Sequence, residues 1–171
     1  NVATVLTNAG KSVLIVDATS VQRMRYVVPN ISTNQSFSYV SEYSKIDVAL
    51  GFMTLNDIAQ YLKRNLNYDY ILIDSDNPQT MNSFGIQGMK KIFFVTSYEQ
   101  YDMLKGAELL RFVQMPIEVV KVISTTNMND AEDKLLNSKV SNSNIKWSNS
   151  RIEFSDLDVD RRAILKNQFS K

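Results

Sequence analysis

The sequence contains neither cysteine nor histidine among its 171 residues. Disulfide bonds and thiol nucleophiles are therefore excluded, and so are ordinary zinc sites, which draw on these two residue types. A serine nucleophile activated by histidine and aspartate is excluded as well. Any chemistry must rest on carboxylates, hydroxyls, lysine, arginine and a hard cation such as magnesium.

Glycine is also scarce, with five residues in the chain. Neither of the glycine-rich phosphate motifs, G-x-x-x-x-G-K-[ST] or G-x-G-x-x-G, occurs in the sequence. Such loops bind phosphate because consecutive backbone N–H groups converge on its oxygens. The 171 residues therefore contain no recognisable cradle for a nucleotide.

Long apolar runs and a strong excess of one charge are missing too. The net charge is +1, which gives no strong signal for nucleic-acid binding. No run approaches the roughly 20 apolar residues of a transmembrane segment, and no signal peptide is visible. Together with the absence of cysteine, these features predict a cytoplasmic protein.

The length and the 44% hydrophobic content predict a single domain over residues 1–171.

Apolar segments predict strands that alternate with helices along the chain. Continuous apolar runs are typical of parallel strands covered on both faces. Strands are predicted over residues 12–17, 68–74, 91–96, 117–124 and 145–154. Because strand–helix–strand alternation produces right-handed crossovers, we expect a three-layer α/β fold with a mostly parallel sheet and helices on both faces.

The helices are predicted from apolar residues at 3.6-residue spacing. They cover residues 2–9, 54–67, 97–113, 130–137 and 158–169. Thr54 and Ser97 are the expected N-caps of two of them, and Gly10 is the expected stop of the first. Two polar stretches are predicted to be loops, over residues 30–44 and 138–150.

Two predicted strands end in aspartate, at Asp17 and Asp74. Ligands of open parallel sheets bind at the carboxyl ends of the strands, where a carboxylate suits magnesium, directly or through water. The alternative is that each carboxylate caps the next helix or turn. Asp74 opens the sequence DSDNP, which is typical of an Asx turn and also of a Walker B aspartate followed by a switch loop.

Taken in order, these segments resemble the MinD/ParA family of deviant-Walker P-loop ATPases. NVATVLTNAGKSVLIVD resembles the helix after the P-loop, its glycine turn and the next strand, and YDYILID resembles the Walker B strand. KIFFVTSYEQYDMLKGAELLR resembles the following strand and long helix, and FSDLDVDRRAILKNQ a late segment of MinD-like proteins. The resemblance covers nearly the whole chain and implies a P-loop NTPase-like fold.

The resemblance implies ATP and magnesium binding, nucleotide-dependent dimerisation, and slow hydrolysis controlled by a partner. By the same resemblance, Asp17 and Asp74 would serve magnesium and the attacking water. Asn127, after the strand at 117–124, would contact the adenine base.

The sequence departs from the family pattern at two points that bear on catalysis. The phosphate loop, with its two lysines, would precede Asn1, so we expect that the N-terminal strand, the P-loop and some C-terminal residues are missing. Thr19 stands where the family has the second aspartate of its VDxD motif, which orients the hydrolytic water. A P-loop upstream would restore nucleotide binding, but it would not restore that carboxylate.

Three functions are compatible with these residues. One is a degenerate, non-catalytic binding or positioning module in a bacterial assembly or partitioning system. Such a module would bind a protein partner, could also form a homodimer, and would bind no cofactor of its own. The second is an active ATPase that binds ATP and magnesium through an upstream P-loop. The third is a receiver-like signalling domain, because SVLIVDATSVQRMR resembles its first strand and helix; Asp17, Asp74 and Thr96 would then take its site roles. Ala18 breaks the acidic pair of that family, and no Lys-Pro occurs in the chain.

Overall fold

The computed structural model describes residues 2–28, 39–43, 45–84, 91–114, 116–123 and 130–153. The chain divides into two compact units, Asn1–Gly85 (unit 1) and Ile86–Lys171 (unit 2). The described helices are α1 (Val2–Asn8), α2 (Leu55–Leu62), α3 (Pro78–Ser83), α4 (Gln100–Arg111) and α5 (Asp130–Lys139). The described strands are β1 (Val13–Asp17), β2 (Tyr39–Tyr43), β3 (Ile46–Leu50), β4 (Tyr70–Asp74), β5 (Lys91–Thr96), β6 (Ile117–Ile123) and β7 (Ile145–Glu153).

Unit 1 is built on a four-stranded sheet with the order β2-β3-β1-β4. β1 pairs in parallel with both β3 and β4, whereas β2 pairs with β3 as an antiparallel hairpin. The central position of β1 follows from its sequence, since VLIVD is apolar up to its last residue and four of its five residues are buried. This arrangement brings the carboxyl ends of β1 and β4 together.

Two helix-terminus signals of unit 1 match the prediction, although α2 ends at Leu62 and not at residue 67. Gly10 has φ 78° after α1, and Lys11 donates its N–H to the carbonyl of Leu6, as in a glycine-terminated helix. The Thr54 hydroxyl accepts a hydrogen bond from the Asp57 N–H and caps α2. Both predicted signals are therefore confirmed.

The core of unit 1 places α2 against one face of the sheet. Ile58 of α2 is fully buried in a cluster with Leu14 and Val16 of β1 and Ala49 of β3. The register pairs Val16 with Ala49, so these side chains share one face. α1 contacts β1 and β3. Packing of this kind holds the carboxyl end of β1, where Asp17 lies, in a fixed position.

Unit 2 is a three-stranded parallel sheet with the order β5-β6-β7. Phe94 of β5 is in register with Lys121 of β6. Gly106 of α4 lies directly against the Phe94 ring, and Asp133 of α5 pairs with Lys121. α4 and α5 therefore cover the same face of this sheet, as successive right-handed crossovers in one direction require.

The prediction of an α/β fold with mostly parallel strands is confirmed, and all five predicted strands are present with small differences at their ends. Two loop predictions were wrong in part: β2 occupies the end of the stretch 30–44, and β7 begins within the stretch 138–150. β3 was not predicted. The predicted helix at residues 158–169 lies outside the described residues. Each described helix is too short or too polar to cross a lipid bilayer.

Candidate functional site

Asp17 and Asp74 are brought together at the carboxyl edge of the unit 1 sheet. The two residues occupy paired positions at the ends of the neighbouring parallel strands β1 and β4. The backbone N–H of Ala18 donates to the Asp74 carbonyl at 2.8 Å, so the two chains stay connected beyond the strands. The sequence predicted that both residues end parallel strands, and the pairing of β1 with β4 makes them neighbours.

The Asp17 carboxylate is buried and is engaged by its own chain. Its side chain is 2% exposed. Oδ1 accepts hydrogen bonds from the Thr19 N–H at 3.1 Å and from the Thr19 hydroxyl at 2.6 Å. Oδ2 accepts a third from the Met24 N–H at 2.9 Å. The carboxylate thus holds the start and the end of the segment that follows β1.

The segment between Thr19 and Met24 has an unusual backbone. Gln22 adopts a left-handed conformation, with φ 49° and ψ 54°, which non-glycine residues rarely enter. Its N–H donates to the Thr19 hydroxyl oxygen at 3.0 Å, and its side-chain oxygen accepts from Arg25 at 2.8 Å. The Thr19 hydroxyl therefore links Asp17 and Gln22, and these bonds hold the strained conformation in place.

A second bridge joins this segment to the loop after β4. The Ser20 N–H donates to Asp76 Oδ1 at 3.0 Å, and the Ser20 hydroxyl donates to Asp76 Oδ2 at 2.6 Å. The next residue, Asn77, caps α3 by accepting the Thr80 N–H at 2.9 Å, with Pro78 in the first turn. The DSDNP sequence therefore starts a helix, and Asp76 is used to connect two loops.

Asp74 differs from its two acidic neighbours because its carboxylate forms no hydrogen bond with any described residue and its side chain is exposed at the surface. Although the side chain reaches the surface, neighbouring atoms shield part of its carboxylate from water. This desolvation raises the pKa of Asp74 above its ordinary value, and the nearby charges of Asp17 and Asp76 raise it further. Asp74 is therefore the carboxylate at this edge that remains available to a ligand.

The pKa of Asp76 is shifted in the opposite direction. Partial burial alone would raise it, but the hydrogen bonds from the Ser20 hydroxyl and N–H outweigh that effect and hold the pKa of Asp76 below its ordinary value. Asp76 thus stays ionised and keeps its bridge to Ser20 over the physiological range.

The residues present fit a magnesium ion only in part. Magnesium is usually held by one or two carboxylates together with water and substrate phosphates. The oxygens of Asp17 already accept three hydrogen bonds, which leaves Asp74 as the open carboxylate. Among the described ranges, no group of three or more acidic side chains is arranged to hold a metal ion.

The other predicted site residues are placed elsewhere. Asn127 lies outside the described residues. Thr96 ends β5 in unit 2, where it is buried and its hydroxyl donates to the Ser97 carbonyl at 3.2 Å. The prediction of Ser97 as the N-cap of α4 was wrong, because Glu99 occupies that position and forms no side-chain cap bond. Ser97 instead accepts the Glu99 N–H at 3.2 Å and donates to Asp102 at 2.5 Å, just before the helix.

Sequence reasoning missed the two residues that bridge the loops, Ser20 and Asp76. A signal was available: each lies within three positions of a strand-ending aspartate, in a loop that must pass the other loop at the same edge. The third donor to Asp17, the Met24 backbone, left no trace in the sequence because nearly every residue type supplies an N–H.

No protein-family model matches the chain, and no curated protein matches it significantly.

Proposed function

We propose that this chain is a degenerate MinD/ParA-like domain with a P-loop NTPase-like architecture. It acts as a non-catalytic binding or positioning module in a bacterial assembly or partitioning system. The proposal rests on the order of segments that resemble the family, and on one observation at the carboxyl edge of unit 1. Its partner is a protein, and its place of action is the cytoplasm.

The observation that carries the proposal is the hydrogen bonding of Thr19. Where the resemblance expects a carboxylate that orients water, the Thr19 hydroxyl donates to Asp17 and accepts from the Gln22 N–H. A hydroxyl that already donates once and accepts once keeps a single free lone pair, whereas an ionised carboxylate offers about four acceptor positions. The same loop is tied to Asp76 through Ser20. These contacts suit a rigid surface better than a site of hydrolysis.

The test is to measure thermal melting with and without Mg-ATP, together with phosphate release, on the native full-length protein. We expect phosphate release no faster than in buffer, because Thr19 supplies no carboxylate to orient a water molecule and Asp17 is engaged by its own loop, which leaves Asp74 alone at this edge. A ligand that binds only the folded state raises the melting midpoint, so the melting curve reports binding separately from hydrolysis.

The matched variant is Asp74→Asn, which changes the open carboxylate and leaves the Thr19 and Asp17 hydrogen bonds in place. Under the proposal, this variant releases no less phosphate than the native protein. Steady ATP hydrolysis that Asp74→Asn abolishes would overturn the proposal in favour of an ATPase with an upstream P-loop.

A further inference from the structure

Two lysines of unit 1 occupy backbone positions that strongly favour glycine. Lys45 has φ 67° in the two-residue turn between β2 and β3, where Tyr43 pairs with Ile46. Lys63 has φ 53° and ends α2, with its N–H directed to the carbonyls of Ala59 and Gln60. Hairpin turns and helix ends of this kind usually carry glycine, because a side chain in the left-handed region clashes with the backbone.

Both lysines lie at the amino edge of the same sheet. Lys45 immediately precedes β3, which is parallel to β1. α2 leads from the carboxyl end of β3 to the amino end of β4, so its last residues reach this edge as well. The Arg64 guanidinium confirms the placement, since it lies 3.6 Å from Asp47, the second residue of β3.

The charges at this edge are unevenly satisfied. Lys11 lies 3.8 Å from Asp69, and Arg64 is paired with Asp47, so these two cations have carboxylate partners. Lys45 and Lys63 are exposed, and neither forms an ion pair with another residue in the described part of the chain. We call Lys11, Lys45, Lys63 and Arg64 the amino-edge patch. The opposite edge carries Asp17, Asp74 and Asp76.

Local structure explains why a positive charge is favourable at Lys63. It does not explain why lysine, rather than glycine, occupies the left-handed backbone positions 45 and 63. The helix dipole favours a cation near the end of α2, which suits Lys63. That benefit does not require the left-handed residue itself, because Arg64 follows it directly. Lysine is retained at two costly backbone positions, and neither ammonium group has an ion-pair partner in the part of the chain that the structure describes. This combination indicates that the two ammonium groups serve a contact outside the unit.

We propose that the amino-edge patch binds an acidic, Asp/Glu-rich segment of a partner protein, with Lys45 and Lys63 as the principal contacts. This inference rests on the proposed function as a binding module and names the chemistry of its partner. Carboxylates are the ligands that this edge already uses, through Asp47 and Asp69. Two exposed lysines without an ion-pair partner among the described residues give this edge positive charge that an acidic segment can neutralise. A nucleic acid would require a longer basic stripe than a chain of net charge +1 supplies.

The experiment measures binding of a synthetic octapeptide of alternating aspartate and glutamate to the native full-length protein by titration calorimetry at low salt. Lys45→Gln and Lys63→Gln each remove the charge and keep the backbone conformation. We expect each to weaken binding about two- to fivefold, the effect of one exposed ion pair. Lys105→Gln, on the exposed side of α4, is the control and leaves binding unchanged.

Glycine variants separate a binding role from an incidental charge. Lys45→Gly and Lys63→Gly relieve the left-handed strain, so each should raise the melting midpoint by a few degrees while weakening peptide binding as much as the glutamine variant. Opposite changes in stability and in binding, from one substitution, are the expected signature of a side chain retained for its contact.

Unchanged peptide binding in the Lys45→Gln/Lys63→Gln double variant overturns the inference. Equal or tighter binding of duplex DNA or of anionic lipid vesicles, with the same dependence on the two lysines, overturns the assignment to an acidic protein segment. ATP hydrolysis by a protein whose lysines still bind the peptide would refute the non-catalytic function alone.

Discussion

At the scale of single residues, Asp17 and Asp74 show how neighbours of one type take different roles. Both end parallel strands at the same edge, yet Asp17 is buried with three hydrogen bonds and Asp74 is exposed without any to a described residue. A buried carboxylate that satisfies three donors cannot be removed without leaving those donors unpaired. Asp17 therefore maintains the loop, and Asp74 is the residue free to contact a ligand.

Asp74→Asn should stabilise the protein at neutral pH. The pKa of Asp74 is raised in the folded state, chiefly by partial desolvation and then by the charges of Asp17 and Asp76, so the ionised form is disfavoured there. Protonation of Asp74 therefore contributes to the stability of the folded state. This contribution is complete below the ordinary aspartate pKa and is lost as pH rises through the folded pKa. We expect a gain of about 0.5 kcal/mol at pH 7, the scale of a screened surface interaction, that disappears near pH 3. Urea denaturation at both pH values measures it.

Asp76→Asn is the matched control, because the pKa of Asp76 is lowered by Ser20 despite partial burial. Its contribution is present above the ordinary aspartate pKa and is lost as pH falls through the folded pKa. This variant should therefore be less stable than the native protein at pH 7, and the difference should close in acid. A loss of stability in both variants at pH 7 would contradict the opposite shifts.

At the scale of elements, α4 is fitted to its strand through a glycine. Gly106 is buried within the helix, and a Cβ built there would lie 2.2 Å from the end of the Phe94 ring. Glycine lowers helix propensity by about 1 kcal/mol, so its presence in the middle of α4 requires another reason. The close approach of the helix to Phe94 supplies that reason.

Gly106→Ala should destabilise the protein despite alanine's better helix propensity. The ring of Phe94 is 7% exposed and has little room to move, so the added methyl group overpacks the core at a cost of about 1–3 kcal/mol. After the gain in propensity, we expect a net loss of about 1 kcal/mol in urea denaturation. The double variant Gly106→Ala/Phe94→Leu should lose less than the sum of the two single variants. Strict additivity would show that the ring is not the obstacle.

Elements with a strong pattern could be predicted from the sequence, and elements defined by pairing could not. β5 was predicted without error because KIFFVT is a compact apolar and β-branched run. β3, with the sequence IDVAL, was missed because its aspartate and alanine weaken the pattern; four of its five residues are nevertheless buried once β1 and β2 lie beside it. α3 was missed because the sequence DSDNP is typical of an Asx turn, whereas Pro78 occupies the first turn of the helix.

At the scale of the whole molecule, the two edges of the unit 1 sheet have opposite electrostatic character. Three aspartates lie at the carboxyl edge. The amino edge carries the four basic residues of the amino-edge patch, together with Asp47 and Asp69, which pair with two of them. Tyr68 belongs to the amino edge: its hydroxyl donates to Asp47 at 2.5 Å, and Arg64 lies 5.8 Å from its ring centre. Partial burial and the bond to Asp47 raise the pKa of Tyr68 to about 12.

Tyr68→Phe should change how stability falls in alkali. Because the folded pKa of about 12 exceeds the ordinary value of 10.0, the contribution of the tyrosine is complete below pH 10 and is lost as pH rises through about 12. The phenylalanine variant should be less stable at pH 7 by about 1 kcal/mol, the worth of one hydrogen bond. The two proteins should converge between pH 10 and 12 in urea denaturation. A constant difference over that range would mean that Tyr68 titrates normally.

The candidate site was predictable in its location but not in its chemistry. Strand-ending aspartates placed Asp17 and Asp74 at one edge, because parallel strands align their carboxyl ends. Which carboxylate is engaged depends on the left-handed Gln22 and on the backbone of Met24, and neither is encoded by residue type. Asn127, assigned by resemblance, stays a prediction.

The ion pair between Lys121 and Asp133 in unit 2 has an optical consequence. Trp147 is the single tryptophan of the chain, and the Lys121 ammonium that pairs with Asp133 at 2.8 Å lies 4.6 Å from its ring centre. Indole emission responds to a charge at that distance, so the fluorescence of this protein is a spectroscopic reporter of the Lys121–Asp133 contact. Unfolding followed by tryptophan fluorescence therefore records the contact between β6 and α5 in unit 2. Unit 1 contains no tryptophan, so its unfolding must be followed by another signal.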